Sequence, residues 1–260
     1  MSTRYPARLA VMLFIFCIVP SLFAQGLYWE SNTSGGPLGA TPHLSKLYAM
    51  PKMFRQEEAS GDIFIVRLDK NEVYMIKPAD KTYSAMTFAE LEEGMRQMGS
   101  QANERMAEMR KQMKDMPEEQ RKAMEKMMGN MMGGGEGDAP LKVTGSGERK
   151  SVTGYGCSKY VVTSGTEEIM SLWLTRDIKE MDAMRKDWKE FAQRMASLIP
   201  GRGKAMAEAF KRIEGFPMET NMGGITTVVT KIEKRSTPAS SFDIPSGYTK
   251  TESPLKKMEH

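Results

Sequence analysis

Cysteine and histidine are scarce in this sequence, with two residues of each among 260. Only Cys157 lies outside the N-terminal apolar segment, so the remaining chain has no second cysteine for an internal disulfide. A zinc site needs several Cys, His or carboxylate ligands at matched spacing, and His43 and His260 belong to no such cluster. No phosphate-binding loop or nucleophile motif occurs either. We therefore expect a non-catalytic protein without a cofactor.

Long apolar runs are also rare, and the first one indicates export. Residues 9–19 form an apolar run after the basic Arg4 and Arg8, and Ala24 offers a cleavage position. This is the layout of a secretory signal peptide, and the run is too short for a comfortable membrane span. The sequence predicts removal of residues 1–24, export to the periplasm or beyond, and no membrane span in the mature chain.

The charge pattern lacks a face of one sign. The chain carries 37 Lys and Arg against 33 Asp and Glu, a formal net charge of +4. These residues are interleaved along the sequence, so no basic patch argues for nucleic-acid binding. The length suits one large domain or two small ones. We expect a single domain over residues 25–250, followed by a polar tail at residues 251–260.

Strand patterns occupy the two ends of this domain. Runs of β-forming residues separated by turn residues predict an antiparallel meander of about eight strands. The runs cover residues 27–31, 46–54, 62–68, 72–76, 82–84, 150–163, 168–175 and 226–234. Apolar residues at helical spacing predict two later helices, at residues 181–199 and 205–213.

Methionine is abundant, with 25 residues, and most of it lies between the strand regions. An apolar stripe with a period of 3.6 residues predicts one long amphipathic helix. The stripe comprises Phe88, Leu91, Met95, Met98, Met106, Met109, Met113 and Met116. After Pro117 a second helix has a stripe of its own, formed by Met124, Met127, Met128 and Met131. With the glycines that follow, residues 88–140 form a helical insertion.

The sequence leaves three roles open for this stripe. It could be a permanent part of the core, or an adaptable surface that admits an apolar ligand, because methionine is unbranched and polarizable. It could also bind Cu(I), since thioether sulfur is a soft ligand. The copper reading assigns the metal to Met124, Met127, Met128 and Met131. The spacing alone favours the apolar surface, because any amphipathic helix produces it.

Several short motifs resemble an uncharacterised family of secreted bacterial proteins, known as a domain of unknown function. They are GYGCSKY at residues 154–160, LWLT at 172–175, MRKDW at 184–188 and FDIPSGY at 242–248. The likeness spans residues 27–248, and the family is associated with the LolA-like lipoprotein-carrier fold. It implies a curved, mostly antiparallel sheet, shaped as a half-barrel, with helices over its concave face. No catalytic residue can be transferred from it.

Together these observations predict an α+β protein with a methionine-rich helical insertion. The predicted function is non-catalytic binding of a hydrophobic ligand in the cell envelope, such as a lipid, an acyl chain or a lipoprotein. Periplasmic Cu(I) binding and an envelope-stress chaperone activity are the alternatives. The oligomeric state and the identity of the ligand are left open.

Overall fold

The computed structural model describes residues 25–36, 39–113, 118, 140–198 and 203–253, which form one large sheet and three helices. The strands are β1 (Gln25–Gly35), β2 (His43–Met50), β3 (Met53–Glu58), β4 (Ile63–Arg67), β5 (Glu72–Lys77), β6 (Thr82–Thr87), β7 (Leu141–Val152), β8 (Tyr155–Ser164), β9 (Glu167–Thr175), β10 (Phe216–Met222), β11 (Ile225–Ser236) and β12 (Thr249–Lys250). The helices are α1 (Phe88–Met113), α2 (Glu180–Ser197) and α3 (Gly203–Lys211). Residues 1–24, predicted to be a signal peptide, and the whole second methionine stripe lie outside the described residues.

The strand order is β12-β6-β5-β4-β3-β2-β1-β11-β10-β9-β8-β7. All neighbours are antiparallel except β12 and β6. Two meanders, β1 to β6 and β7 to β11, meet where β1 pairs with β11. As a result, β6 lies next to one end of the sheet and β7 forms the other end, and the chain containing α1 connects them.

The sheet is strongly curved on its C-terminal side. The β7–β8 hairpin lies three strands from β11, which would place it about 14 Å away in a flat sheet. Yet Oγ1 of Thr153, in the hairpin turn, donates a hydrogen bond of 2.5 Å to the carbonyl oxygen of Val229 on β11. The hairpin therefore curls back over the sheet and encloses a concave face. The predicted α+β class, with a curved and mostly antiparallel sheet, is confirmed.

Twelve strands replace the eight or so expected, because two predicted runs are hairpins and because β10 and β12 matched no predicted run. Lys52, with φ of 61°, turns the chain between β2 and β3. Thr153, with φ of 51°, turns it between β7 and β8. Positive φ is uncommon for lysine and is an outlier for a β-branched threonine, so neither residue type predicts such a turn.

Helix α1 begins with a capping box at the end of β6. Thr87 Oγ1 accepts a hydrogen bond of 3.2 Å from the backbone N–H of Glu90. The Glu90 carboxylate in turn accepts one of 2.8 Å from the backbone N–H of Thr87. These reciprocal bonds satisfy the exposed donors of the first turn. They fix the helix start so that Phe88 and Leu91 enter the core.

Three apolar clusters support the sheet. The concave cluster joins the inner face of β1 to β6 with α2 and the first turns of α1. A second cluster packs α3, through Met206 and Ala209, against β7 to β9. A third cluster lies on the outer face of β4 and β5, where Phe242 of the FDIPSGY segment is fully buried against Ile65 and Ile76.

Candidate functional site

The concave cluster is centred on five aromatic rings. Trp29 on β1 and Phe54 on β3 supply the sheet side, Phe216 begins β10, and Trp188 and Phe191 project from α2. Trp188 contacts all four other rings, with centroid distances of 5.5–5.9 Å, and Phe54 stacks on Phe191 at 4.5 Å. These separations are typical of favourable aromatic pairs. Helix α2 thus fills the concave face with its own side chains.

An apolar rim remains partly accessible around this centre. It consists of large side chains that pack against the concave cluster but are only half-buried: Phe64, Leu68, Met95, Met195 and Leu198. Met75 pairs with Phe64 across β4 and β5 and is 38% exposed. The rim brings β4, α1 and α2 together. Apolar side chains left partly exposed beside one another often mark a site for a ligand or partner.

Two polar contacts hold α2 over the sheet. The backbone N–H of Lys52 donates a hydrogen bond of 3.0 Å to Oδ2 of Asp187. In the last turn of the helix, Arg194 Nη1 donates a hydrogen bond of 3.0 Å to Oδ1 of Asn71. The guanidinium of Arg194 also lies 4.5 Å from the ring centroid of Phe88. Both hydrogen bonds are solvent-exposed, so each contributes about 1 kcal/mol.

The space beneath the N-terminal end of α2 is small. A slot of about 30 Å³ lies between α2 and the sheet, and its apolar walls are Ile178, Met181, Trp188 and Phe216. This volume is close to the share of one water molecule in the liquid. An acyl chain would therefore need α2 to move away from the aromatic centre.

The residues predicted from the methionine stripe have different environments. Phe88 and Leu91 are buried in the concave cluster, 2% and 8% exposed. Met95 and Met98 are half-buried, and Met95 belongs to the apolar rim. The side chains of Met106, Met109 and Met113 lie outside the described part of the structure, as do Met116 and the copper candidates Met124, Met127, Met128 and Met131. The structure therefore brings the first three stripe residues together with α2.

The sequence-based site omitted α2, although a signal was present. Met184, Trp188, Phe191, Met195 and Leu198 recur at helical spacing, which identified the helix but not its partner. Two aromatic residues on one helix face, followed by methionine, mark an unusually large apolar surface. That surface meets the sheet centre where β1 and β11 pair.

Cys157 has the environment of a buried structural thiol. It is 2% exposed, and its Sγ lies 3.4 Å from the carbonyl oxygen of Tyr155, which accepts its hydrogen bond. Burial raises the pKa of the thiol, which disfavours the reactive thiolate. The described residues contain no group of three His, Cys, Asp or Glu side chains able to hold a metal ion.

Comparison with protein families gives one match, over the C-terminal half of the chain. Residues 125–248 match the model of DUF4412, a domain of unknown function. The predicted likeness to an uncharacterised family is confirmed over this stretch. The DUF4412 stretch includes all four motifs quoted above, together with β7 to β11, α2 and α3. β1 to β6 and α1 precede it.

Solved structures give only distant likenesses. PNGF-II matches with a TM-score of 0.40 and 10% identity, over 90% of this chain and 33% of that one. MucB in complex with MucA(peri) matches with a TM-score of 0.31 and 8% identity, over 86% of this chain and 56% of that one. A second match, with a TM-score of 0.30, is the MucA/MucB complex of Pseudomonas aeruginosa. The chain thus spans a third of PNGF-II and about half of MucB, and scores this low carry no functional argument.

A comparison with curated proteins gave no match. Among the described residues, no helix has the length and apolar character needed to cross a membrane.

Proposed function

We propose that the protein is a non-catalytic cell-envelope protein that binds the acyl chain of a lipid or lipoprotein on its concave face, beneath α2. The observation that carries this proposal is the apolar rim, where β4, α1 and α2 leave large side chains half-exposed beside an aromatic centre. The ligand enters beneath α2 and replaces the contacts of α2 with the sheet. Residues of the signal-like segment, Arg4, Arg8 and Ala24, support export.

The energetics are compatible with displacement of one helix. Burying an acyl chain gains about 0.8 kcal/mol per CH₂, so a chain of about 16 carbons gains on the order of 10 kcal/mol. That gain has to offset the aromatic contacts of Trp188 and Phe191 and the two exposed hydrogen bonds of α2. The flexible side chains of Met95 and Met195 can repack around a chain of irregular shape.

The methionine-rich helix extends this surface in the proposal. Phe88 and Leu91 anchor α1 in the core, while Met95 faces the rim. From Ser100 onward the described side chains of α1 are exposed and polar or small, as at Glu104, Ala107 and Glu108. The helix therefore supports the site mainly through its N-terminal turns. Copper binding by the later methionines and chaperone activity stay as alternative predictions.

The test uses the chain purified from a bacterial envelope fraction. Native mass spectrometry should detect a co-purifying lipid, and a fluorescent fatty acid should bind the delipidated protein. Phe64→Gln removes an apolar side chain from the rim. It should reduce the binding free energy by about 1.4 kcal/mol, which weakens the affinity about tenfold. Leu44→Gln is the matched control, because Leu44 is 37% exposed and lies outside the concave cluster.

Two results would overturn the proposal. One is the absence of both a co-purifying lipid and fatty-acid uptake. The other is equal binding by Phe64→Gln, Leu44→Gln and the unchanged protein. Suppression of client aggregation without lipid binding would favour the chaperone alternative instead.

A further inference from the structure

A polar cleft adjoins the apolar slot at the N-terminal end of α2. The cleft holds about 550 Å³ and is lined by charged side chains from β7, from the chain after β9 and from the chain before β10. These are Arg149, Lys150, Arg176, Asp177 and Glu214. Arg176 also lines the slot that ends at Trp188 and Phe216. The polar cleft and the slot therefore share a wall. The slot combines the apolar walls named above with the polar side chains of Arg176, Asp182 and Arg185.

The charges in the cleft are only partly neutralised by one another. Lys150 forms an ion pair of 2.6 Å with Glu219, and Arg176 forms one of 3.1 Å with Glu214. Arg149 and Asp177 are exposed, and neither forms an ion pair within the part of the chain that the structure describes. The cleft thus presents one available cation and one available anion.

The end of α2 beside the slot is held by apolar contacts of Met181 and Met184 in the concave cluster rather than by polar contacts with the sheet. Its N-cap residue, Lys179, makes no capping hydrogen bond through its side chain. The two hydrogen bonds to the sheet come from Asp187 and Arg194, in the middle and the last part of the helix. An acyl chain that enters at the slot therefore displaces apolar contacts of Met181 before it reaches these two hydrogen bonds.

We propose that the cleft is the head-group site for a zwitterionic phospholipid whose acyl chain passes through the slot to the aromatic centre. Arg149 binds the phosphate and Asp177 binds the ammonium group of a head such as phosphoethanolamine. This inference rests on the proposed function and adds the class of lipid and the place of entry. Guanidinium groups pair well with phosphate oxygens because they donate two parallel hydrogen bonds.

The charge pattern favours this head group over a purely anionic one. Asp177 would repel a head that carries only negative charge, whereas it attracts an ammonium group. An uncharged head would leave Arg149 without a counter-charge. The volume of the cleft lies within the range of small-molecule sites.

The experiment measures affinities for three single-chain lipids with the same acyl group, below their micellar concentrations. They are lysophosphatidylethanolamine, lysophosphatidylglycerol and monoacylglycerol. The variants are Arg149→Gln and Asp177→Asn. Lys142→Gln and Asp80→Asn are matched controls, because both residues are exposed and neither lines the cleft or the slot.

We expect the unchanged protein to bind lysophosphatidylethanolamine about fivefold more tightly than lysophosphatidylglycerol. Arg149→Gln should weaken both phospholipids about fivefold and leave monoacylglycerol unchanged. Asp177→Asn should abolish the preference between the two phospholipids, and the controls should keep it.

Each contrary result has a defined meaning. Binding of all three lipids with equal affinity, or a preference that survives Asp177→Asn, overturns the head-group site and leaves acyl-chain binding intact. Failure of all three lipids to bind, monoacylglycerol included, overturns the proposed function and this inference with it.

Discussion

Weakening the attachment of α2 should raise the affinity for an acyl ligand. Asp187→Ala removes the carboxylate that accepts the hydrogen bond of 3.0 Å from the backbone N–H of Lys52. An exposed hydrogen bond of this kind stabilises the closed helix by about 1 kcal/mol. Apparent affinity equals intrinsic affinity multiplied by the open fraction, so the loss should increase apparent affinity about fivefold. A variant that merely lost a ligand contact would show the opposite sign.

The second polar contact of α2, between Arg194 and Asn71, should limit ligand affinity independently of the first. Arg194→Gln weakens the interaction with Asn71 and removes the charge over the ring of Phe88. Two such changes on separate partners should nearly add in free energy, so the double variant should bind about 20-fold more tightly. Fluorescence titration with a fatty acid measures the affinity, and calorimetry should show a Tm lowered by about 2–4 °C for each change.

The control is Glu208→Ala on α3, whose carboxylate pairs with Lys211 of the same helix. It removes an equal charge without touching the contact between α2 and the sheet. A lower Tm in Asp187→Ala with unchanged or weaker affinity would refute the idea that ligand binding requires α2 to open.

Three further predictions concern stability and metal binding. Hydrogen bonds from Arg67 hold the pKa of Asp69 below its usual value, so this pair stabilises the fold above about pH 4 and loses its contribution as the pH falls further. Asp69→Asn should therefore flatten the decline of Tm below about pH 5 in calorimetry, and an unchanged decline would contradict this. Thr153→Ala loses the bond to Val229 but keeps the positive φ, so urea titration should show a loss of about 1 kcal/mol. Thr153→Gly also removes the backbone strain of a positive φ, so it should lose less unfolding free energy than Thr153→Ala. A larger loss for glycine than for alanine would contradict such strain at residue 153. Cu(I) titration against a competing chelator should give the same weak affinity after four Met→Leu replacements, and a clear fall would favour copper binding; the positions are Met124, Met127, Met128 and Met131.

Local patterns predicted the helices because the interactions that define them are local. The apolar period identified α1, α2 and α3, and the Thr87 to Glu90 capping box fixes the start of α1 within the chain itself. The hairpin turns at Lys52 and Thr153 were missed because these residue types rarely adopt positive φ. β10 was missed because it contains Pro217, and proline usually argues against a central strand. The structure accommodates this proline beside a β-bulge.

The candidate site depends on contacts between distant parts of the chain. Trp29 meets Phe216 and Trp188 only after β1 pairs with β11, about 200 residues further along the chain. No periodicity in either segment specifies that pairing. The sequence therefore identified an apolar, methionine-rich protein, while the position of the aromatic centre required the three-dimensional structure.

The central position of the β1–β11 pair also makes the molecule divisible. One half of the sheet, β1 to β6, comes from the chain before α1, and the other half, β7 to β11, comes from the chain after residue 140, which also returns the short β12 to β6. The covalent link between them runs between opposite ends of the sheet, whereas the longest strand pairing between them is the eleven-residue strand β1 along β11. The C-terminal segment adds a second contact, because β12 pairs with β6 and Phe242 packs on β4 and β5. Two separately expressed pieces, divided between residues 119 and 139, would keep every described strand pair. They should reassemble by pairing β1 with β11. A split protein of this kind could report the association of its two pieces.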